Sequence, residues 1–274
     1  VVNGFFEYRY KTNEKVIYSL GRAAFSNTLQ TIEFTENFEQ CIQLRLAFSN
    51  KRITSASFPN ATFANVTECY RMFYDCTLLT SVSMPSATFE RLVNAGGMFE
   101  GCTSLPAVDL SHCNFQALEI VGDRVQNYYM FSGCTSLQSV DFGVNTFPSL
   151  KQAVSWFLNC SSLTSVTWGV PTFNQLITFD FAFAGCTSLV NTPNFSAATF
   201  ENVVDLRGTF RATKIVTLNL PLATFANVRN NIESFYLDQH GTFYNCQQLT
   251  TINMPSATFA SVINKRNMFY ENIA

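Results

Sequence analysis

Ser111 precedes His112, and His240 stands two residues after Asp238. A serine, a base and an orienting acid together make a hydrolytic centre, and a histidine beside a carboxylate makes a general base. Neither pair has a third member at a recognisable spacing. The chain also lacks a glycine-rich phosphate loop and a paired-carboxylate signature. Nine cysteines are present, but none forms a Cys-x-x-Cys pair, and His112 and His240 lack ligand spacing, which argues against zinc. The expectation is a non-enzymatic protein with no catalytic, metal or cofactor-binding residues.

The cysteines instead follow a period. Cys76, Cys102, Cys134, Cys160, Cys186 and Cys246 each stand three residues after a phenylalanine in phrases such as Met72-Phe-Tyr-Asp-Cys76 and Met98-Phe-Glu-Gly-Cys102. One thiol per repeat at a fixed place reads as a buried stack of small apolar groups rather than a disulfide framework. Cys41, Cys69 and Cys113 fall off this register, and their pairing stays open. The phrase-opening residues are Phe25, Phe48, Phe73, Phe99, Phe131, Phe157, Phe183, Phe210, Phe243 and Phe269, spaced 23 to 33 residues apart. Self-similarity at this period marks a solenoid.

Each unit has three parts. Phe-x-x-Cys-x-x-Leu leads into a short alternating run such as Ser81-Val82-Ser83-Met84, the period of a strand. Pro85, Pro221 and Pro255 follow such runs and end them. Ala-Thr-Phe comes next, with an aliphatic residue three later, as in Phe89 and Leu92. Thr suits a helix N-cap, and apolar offsets of 0, 3 and 10 share a helical face, so the return is expected to be a short α or 3-10 segment. Stacked units would share one core that no unit could bury alone. The predicted fold is therefore an α/β repeat solenoid with a parallel β-sheet on one face and short α/3-10 segments on the other.

Cys-x-x-Leu-x-x-Val-x-Met followed by Ala-Thr-Phe resembles the leucine-rich repeats of the BspA-like and Treponema pallidum type, over about residues 46 to 270. The resemblance implies a curved right-handed leucine-rich-repeat coil on a bacterial cell surface, with adhesion to host matrix proteins or other microbes. This chain differs in using Phe, Val and Met at places where the family prefers Leu.

The domain expectation is a hairpin-like N-terminal cap at 1–24 and a solenoid at 25–274, of about nine units plus a truncated last one. The opening at Val1 reads as if a leader or neighbouring segment had been removed. Charged residues make up 13% of the chain and the net charge is −2, which disfavours nucleic acid. Apolar runs are too short to span a membrane, so any membrane attachment would need an anchor in a missing segment.

Two insertions break the period at the same point of the unit. The first, 119–129, carries Arg124, Tyr128 and Tyr129; the second, 229–241, carries Phe235, Tyr236, Asp238 and His240. Insertions in repeats often build a binding face, and they also drift in tolerant loops. Outward strand residues such as Ser81, Ser83, Ser165 and Thr167 are small and polar, suited to sugar hydroxyls or to plain solvation. The functional expectation is an extracellular or bacterial cell-surface protein binding a protein or glycan partner, such as host matrix or an envelope complex, through the two insertions. The competing expectation is a structural module of an envelope or phage-fibre assembly.

Overall fold

The computed structural model describes residues 6–11, 14–20, 30–35, 38–228 and 241–258. Strands β1 (Phe6–Lys11) and β2 (Glu14–Leu20) form an antiparallel pair. Beyond them, most units contribute a three-residue strand: β3 (Thr31–Glu33), β4 (Ser55–Ser57), β5 (Ser81–Ser83) and β6 (Ala107–Asp109). The first insertion supplies β7 (Ile120–Asp123) and β8 (Tyr128–Tyr129). The series continues with β9 (Ser139–Asp141), β10 (Gln152–Ala153), β11 (Ser165–Thr167), β12 (Thr217–Asn219) and β13 (Thr251–Asn253).

Like residues pair in parallel from unit to unit: Ser55 with Ser81, Val140 with Val166, Leu218 with Ile252. The middle residues Ile32, Ala56, Val108, Val140, Val166 and Leu218 are buried, and the flanking small polar residues face outward, as strand alternation requires. Two prolines interrupt this ladder. In unbroken steps the residue before the strand donates its N–H to its counterpart, as Thr80 does to Thr54 at 2.8 Å and Thr164 to Gln138 at 2.9 Å. Pro106 holds that position before β6 and has no N–H, so β5 and β6 fall in separate sheets. Pro193 lies where the next strand would run, and a single bridge from Asn191 to Thr217 remains there.

The expected helices are absent among the described residues. The return segment forms a second ladder of parallel bridges, Gln43–Glu68–Asn94–Ile120 and Gln152–Thr178–Asp205, joined through β7 and β10. Ala-Thr-Phe works differently from a cap. Phe63, Phe89, Phe147, Phe173, Phe200 and Phe225 take left-handed backbone, with φ between 49° and 53°. Each closes one turn by accepting the N–H three residues on, as Phe89 does from Leu92 at 3.1 Å. The Thr before it turns to the neighbouring unit. Both the N–H and the hydroxyl of Thr88 donate to the carbonyl of Thr62, at 2.6 and 3.3 Å.

Stacking distance explains the missing helices. An α-helix with side chains is about 10–12 Å wide. The phrase-opening rings Phe48, Phe73, Phe99, Phe131, Phe157, Phe183, Phe210 and Phe243 stack at centroid spacings of 5.2–5.9 Å. The Ala-Thr-Phe rings on the return side, from Phe63 to Phe225, stack at 5.2–6.4 Å. Equal close spacing on both sides leaves no room for a helix per unit, so the return backbone finds its partners in adjacent units instead.

All nine cysteines are buried and unbridged. The in-register thiols are more than small apolar fillers. Each points its S–H at the carbonyl of the previous phrase-opening Phe, as Cys76 does to Phe48 at 3.0 Å and Cys134 to Phe99 at 3.0 Å. The off-register thiols occupy other repeat positions. Cys113 takes the place that Ala87 holds one unit earlier and donates to the Ala87 carbonyl at 3.3 Å.

Candidate interaction site around the 120–129 hairpin

The first insertion leaves the second ladder at Ile120, turns at residues 124–127 and returns antiparallel, pairing Gly122 with Tyr129 and Asp123 with Tyr128. Asp123 shapes the turn: its Oδ1 accepts the N–H of Val125 at 2.7 Å. Instead of projecting freely, the hairpin is fastened to units on either side.

Backward, Tyr128 is 2% exposed and packs edge-on against Tyr70, with ring centroids 4.6 Å apart. Its hydroxyl accepts a hydrogen bond from Asn94 Nδ2 at 3.0 Å. Gly96 makes room for the ring, since a Cβ there would collide with it. The outer edge of β8 is satisfied by side chains. Arg71 donates to the Asn127 carbonyl at 2.7 Å, and the Glu100 carboxylate accepts the Tyr129 N–H at 3.2 Å. These two groups do for β8 what a neighbouring strand would do. Burial pushes the Glu100 carboxyl up to about 6, partly offset by the Tyr129 N–H and Arg71, while Asp75 adds to the rise.

Forward, the Arg124 guanidinium reaches Asp180 and Asp205, the latter at 3.0 Å. Asp205 also holds Arg207 at 2.7 Å. The two carboxyls differ. Burial and the nearby Asp205 hold Asp180 above the usual carboxylate range in spite of Arg124. Burial pushes Asp205 the same way, but Arg207 and Arg124 outweigh it and hold Asp205 below that range. The Asp180 side chain is 1% exposed, and its Oδ1 has no hydrogen-bond partner.

Of the insertion residues expected to meet a partner, Tyr128 faces the protein interior, because the glycine at 96 offers its ring a seat. Arg124 is half exposed and already paired, Tyr129 is half-buried, and the tip residue Val125 is 93% exposed. Phe235, Tyr236, Asp238 and His240 lie outside the described residues.

A second group went unnoticed in the sequence. Arg71 stacks its guanidinium over Tyr74 at 4.5 Å and Tyr70 at 5.6 Å, and Arg45 lies over Tyr70 at 5.3 Å. Arg45 also pairs with Glu68 at 3.4 Å. These residues share the second-ladder side with the hairpin. That side therefore carries the large aromatic and charged groups that the main sheet face lacks. The available signal was the Gly96-Gly97 pair one unit before two inserted tyrosines.

Among the described residues, no three His, Cys, Asp or Glu side chains are grouped to hold a metal, and no helix is long and apolar enough to cross a membrane.

No curated protein sequence matches the chain. Three solved structures are similar to parts or all of it. A leucine rich repeat protein of Treponema pallidum shares 22% identity, with 69% of this chain and 80% of that one covered and a TM-score of 0.42. A leucine-rich repeat protein from Bacteroides ovatus shares 15% identity, covering 94% and 89%, with a TM-score of 0.25. A leucine rich cell surface protein from Faecalibacterium prausnitzii shares 13% identity, covering 100% and 98%, with a TM-score of 0.28. The profile of the BspA type leucine rich repeat region matches in six copies, over residues 10–117, 69–206 and 110–235. With most of its length matched and its thiol, phenylalanine and strand positions recurring in register, the chain belongs to the BspA type leucine-rich-repeat family.

Proposed function

We propose that this is a non-enzymatic, surface-exposed repeat protein that binds a protein or glycan partner through its second-ladder side. The observation carrying this reading is the hairpin at 120–129. Its base is fixed at Tyr128, Glu100 and Asp180, while its tip presents Val125 to solvent beside half-exposed Arg124. A recognition element held rigidly at its base loses little entropy on binding. Tyr70, Arg71 and Tyr74 extend the surface with the residue types that dominate binding energy. Membership of the repeat family supports a binding scaffold and a location outside the cell. Phe235, Tyr236, Asp238 and His240 belong to the proposed site as its second element. The 1–24 segment is proposed to cover the first unit of the solenoid at 25–274.

The test is recovery of partners from host matrix extract, a glycan array and same-species envelope. Wild type is compared with Val125→Asp/Tyr129→Ala and with Phe235→Ala/Tyr236→Ala. Each double variant is expected to weaken binding by more than about 1 kcal/mol while leaving the fold intact. A partner held as tightly by both variants as by wild type would move the site to the main sheet face. Capture of same-species envelope components alone would favour a structural module of a larger assembly.

A further inference from the structure

The return side changes character along the solenoid. In the units of Phe115 and Phe147, the positions two and four residues after the phenylalanine hold Ala117, Glu119, Ser149 and Lys151, and Glu119 pairs with Lys151 at 2.9 Å. In the next three units the same positions hold Gln175 and Ile177, Asn202 and Val204, and Asn227. These five residues are exposed and line an open groove of about 350 Å³. That volume lies at the lower end of small-molecule sites, about 300–1,000 Å³. Among the described residues, no charged side chain lines the groove. Ile177 and Val204 are 44% and 37% exposed, and the Val204 N–H donates to the Ile177 carbonyl at 2.8 Å, so the two form one apolar strip. The asparagine amides are fixed beside it. Asn202 Nδ2 donates to the Asn174 carbonyl at 2.7 Å, and Asn227 Nδ2 to the Glu201 carbonyl at 2.8 Å.

We propose that this groove binds an uncharged oligosaccharide, with a sugar ring over Ile177 and Val204 and its hydroxyls on Gln175, Asn202 and Asn227. An amide held by one N–H keeps its second N–H and its carbonyl oxygen for a ligand. Hydroxyl groups donate and accept, so they match that set, and the C–H face of a sugar ring matches the aliphatic strip. The amides are held in place before the ligand arrives, which lowers the cost of ordering them. Other occupants fit less well. An acidic or basic glycan finds no counter-charge in the lining. Protein anchors seat in fully desolvated pockets, and this groove is open. A peptide strand presents like groups every ~6.6 Å. The phenylalanines beneath the groove, Phe173, Phe200 and Phe225, are spaced at 5.7 and 5.6 Å, so a strand laid along the groove falls out of step by the third unit. No hairpin residue lines the groove, so it is a site beyond the proposed hairpin surface and is tested separately from it.

Native electrophoresis of the full chain through gels cast with mannan, β-glucan, amylose or galactan reads the binding, with polygalacturonate and heparin as charged counterparts. At least one neutral polymer is expected to retard the wild type. Asn202→Ala and Val204→Ser should each weaken that affinity about three- to ten-fold, the effect of losing one hydrogen bond or one small apolar contact. Asn65→Ala is the internal control. It removes the same kind of inter-unit bond, from Nδ2 to the Glu39 carbonyl at 2.7 Å, outside the groove, and should leave the retardation unchanged. Val125→Asp/Tyr129→Ala should leave it unchanged as well. Migration unaffected by all four neutral polymers overturns the proposal, and that result needs no variant to fold. Retardation that survives both groove variants, or that the Asn65 or hairpin variant reduces equally, overturns the placement in this groove. Stronger retardation by the charged polymers, or capture by an array of uncharged peptides that both groove variants weaken, gives the groove to a different ligand and overturns the proposal too.

Discussion

The ring of Tyr128 fills the space above Gly96, thirty-two residues earlier in the chain, where any side chain would collide with it. The insertion and the unit before it are thus fitted to each other. Gly96→Ala should unseat the ring and cost about 1–3 kcal/mol, the usual range for overpacking a buried site. The solenoid should remain folded. Amides of 121–129 should exchange faster, while those of 165–167 stay as in wild type. Uniform loss of protection along the chain would mean that the hairpin is part of the core rather than fitted onto it.

Arg124 is the forward fastening. Arg124→Ala leaves Asp180 buried without its guanidinium. Breaking a fully buried pair costs about 3–5 kcal/mol. Arg124 is half exposed, so screening reduces the expected loss at pH 7 to about 1–3 kcal/mol. At pH 5 the loss should be smaller, because a protonated Asp180 no longer needs a counter-charge. Urea melts of wild type and variant at the two pH values give the comparison. An equal loss at both would show that Asp180 does not titrate in this range.

The two faces of the unit differ in what they contribute. Phe173 is fully buried against Phe147, Trp168, Phe179, Phe195 and Phe200. Phe173→Ala should cost about 3–5 kcal/mol. Ser165 lies on the open side of β11, and Ser165→Ala should cost under about 0.5 kcal/mol. Similar melting midpoints for the two variants would contradict the placement of the core.

The period of the phenylalanines and thiols made the stacking legible in the sequence, and the alternation in runs such as Ser81-Val82-Ser83 identified the outward strand residues. The return segment is ambiguous in the sequence, because offsets of 0, 3 and 10 suit a helix as well as two turns of a stacked ladder. Side-chain period along one chain does not say whether backbone partners lie in that chain or in the next unit. The Thr hydroxyls illustrate this, since a cap and an inter-unit bond to a Thr carbonyl demand the same residue. The insertion at 119–129 was visible as extra length. Its docking was not, because Tyr128, Arg124, Glu100 and Asp180 come together across units and carry no shared spacing. Cys41, Cys69 and Cys113 fall off the Phe-x-x-Cys register because they occupy other repeat positions. Cys113 lines up with Ala87 at one of them.

The buried thiols lead to a prediction about alkali. Burial pushes Cys76, Cys113 and Cys134 up to about 12, and it holds Cys69, Cys102 and Cys160 well above their ordinary value of 9.0. A thiol raised in the folded state binds its proton more tightly there than in the unfolded chain. Its contribution is complete below about pH 9 and is lost as pH rises from 9 toward 12. Each such group removes about 1.4 kcal/mol per pH unit within that window. The three at about 12 acting together would remove roughly 4 kcal/mol per unit, a large part of the stability of an ordinary domain. The protein should therefore be insensitive to iodoacetamide at pH 8 in its native state and unfold cooperatively between about pH 9 and 11. Tyrosine and lysine titrate in the same range, so the diagnostic is a comparison. Cys102→Ala/Cys134→Ala should be less stable at pH 8, through lost packing and lost S–H bonds to the Phe73 and Phe99 carbonyls, yet lose stability less steeply above pH 9. Parallel pH profiles for variant and wild type, or alkylation of native thiols at pH 8, would show that the thiol stack is open to solvent.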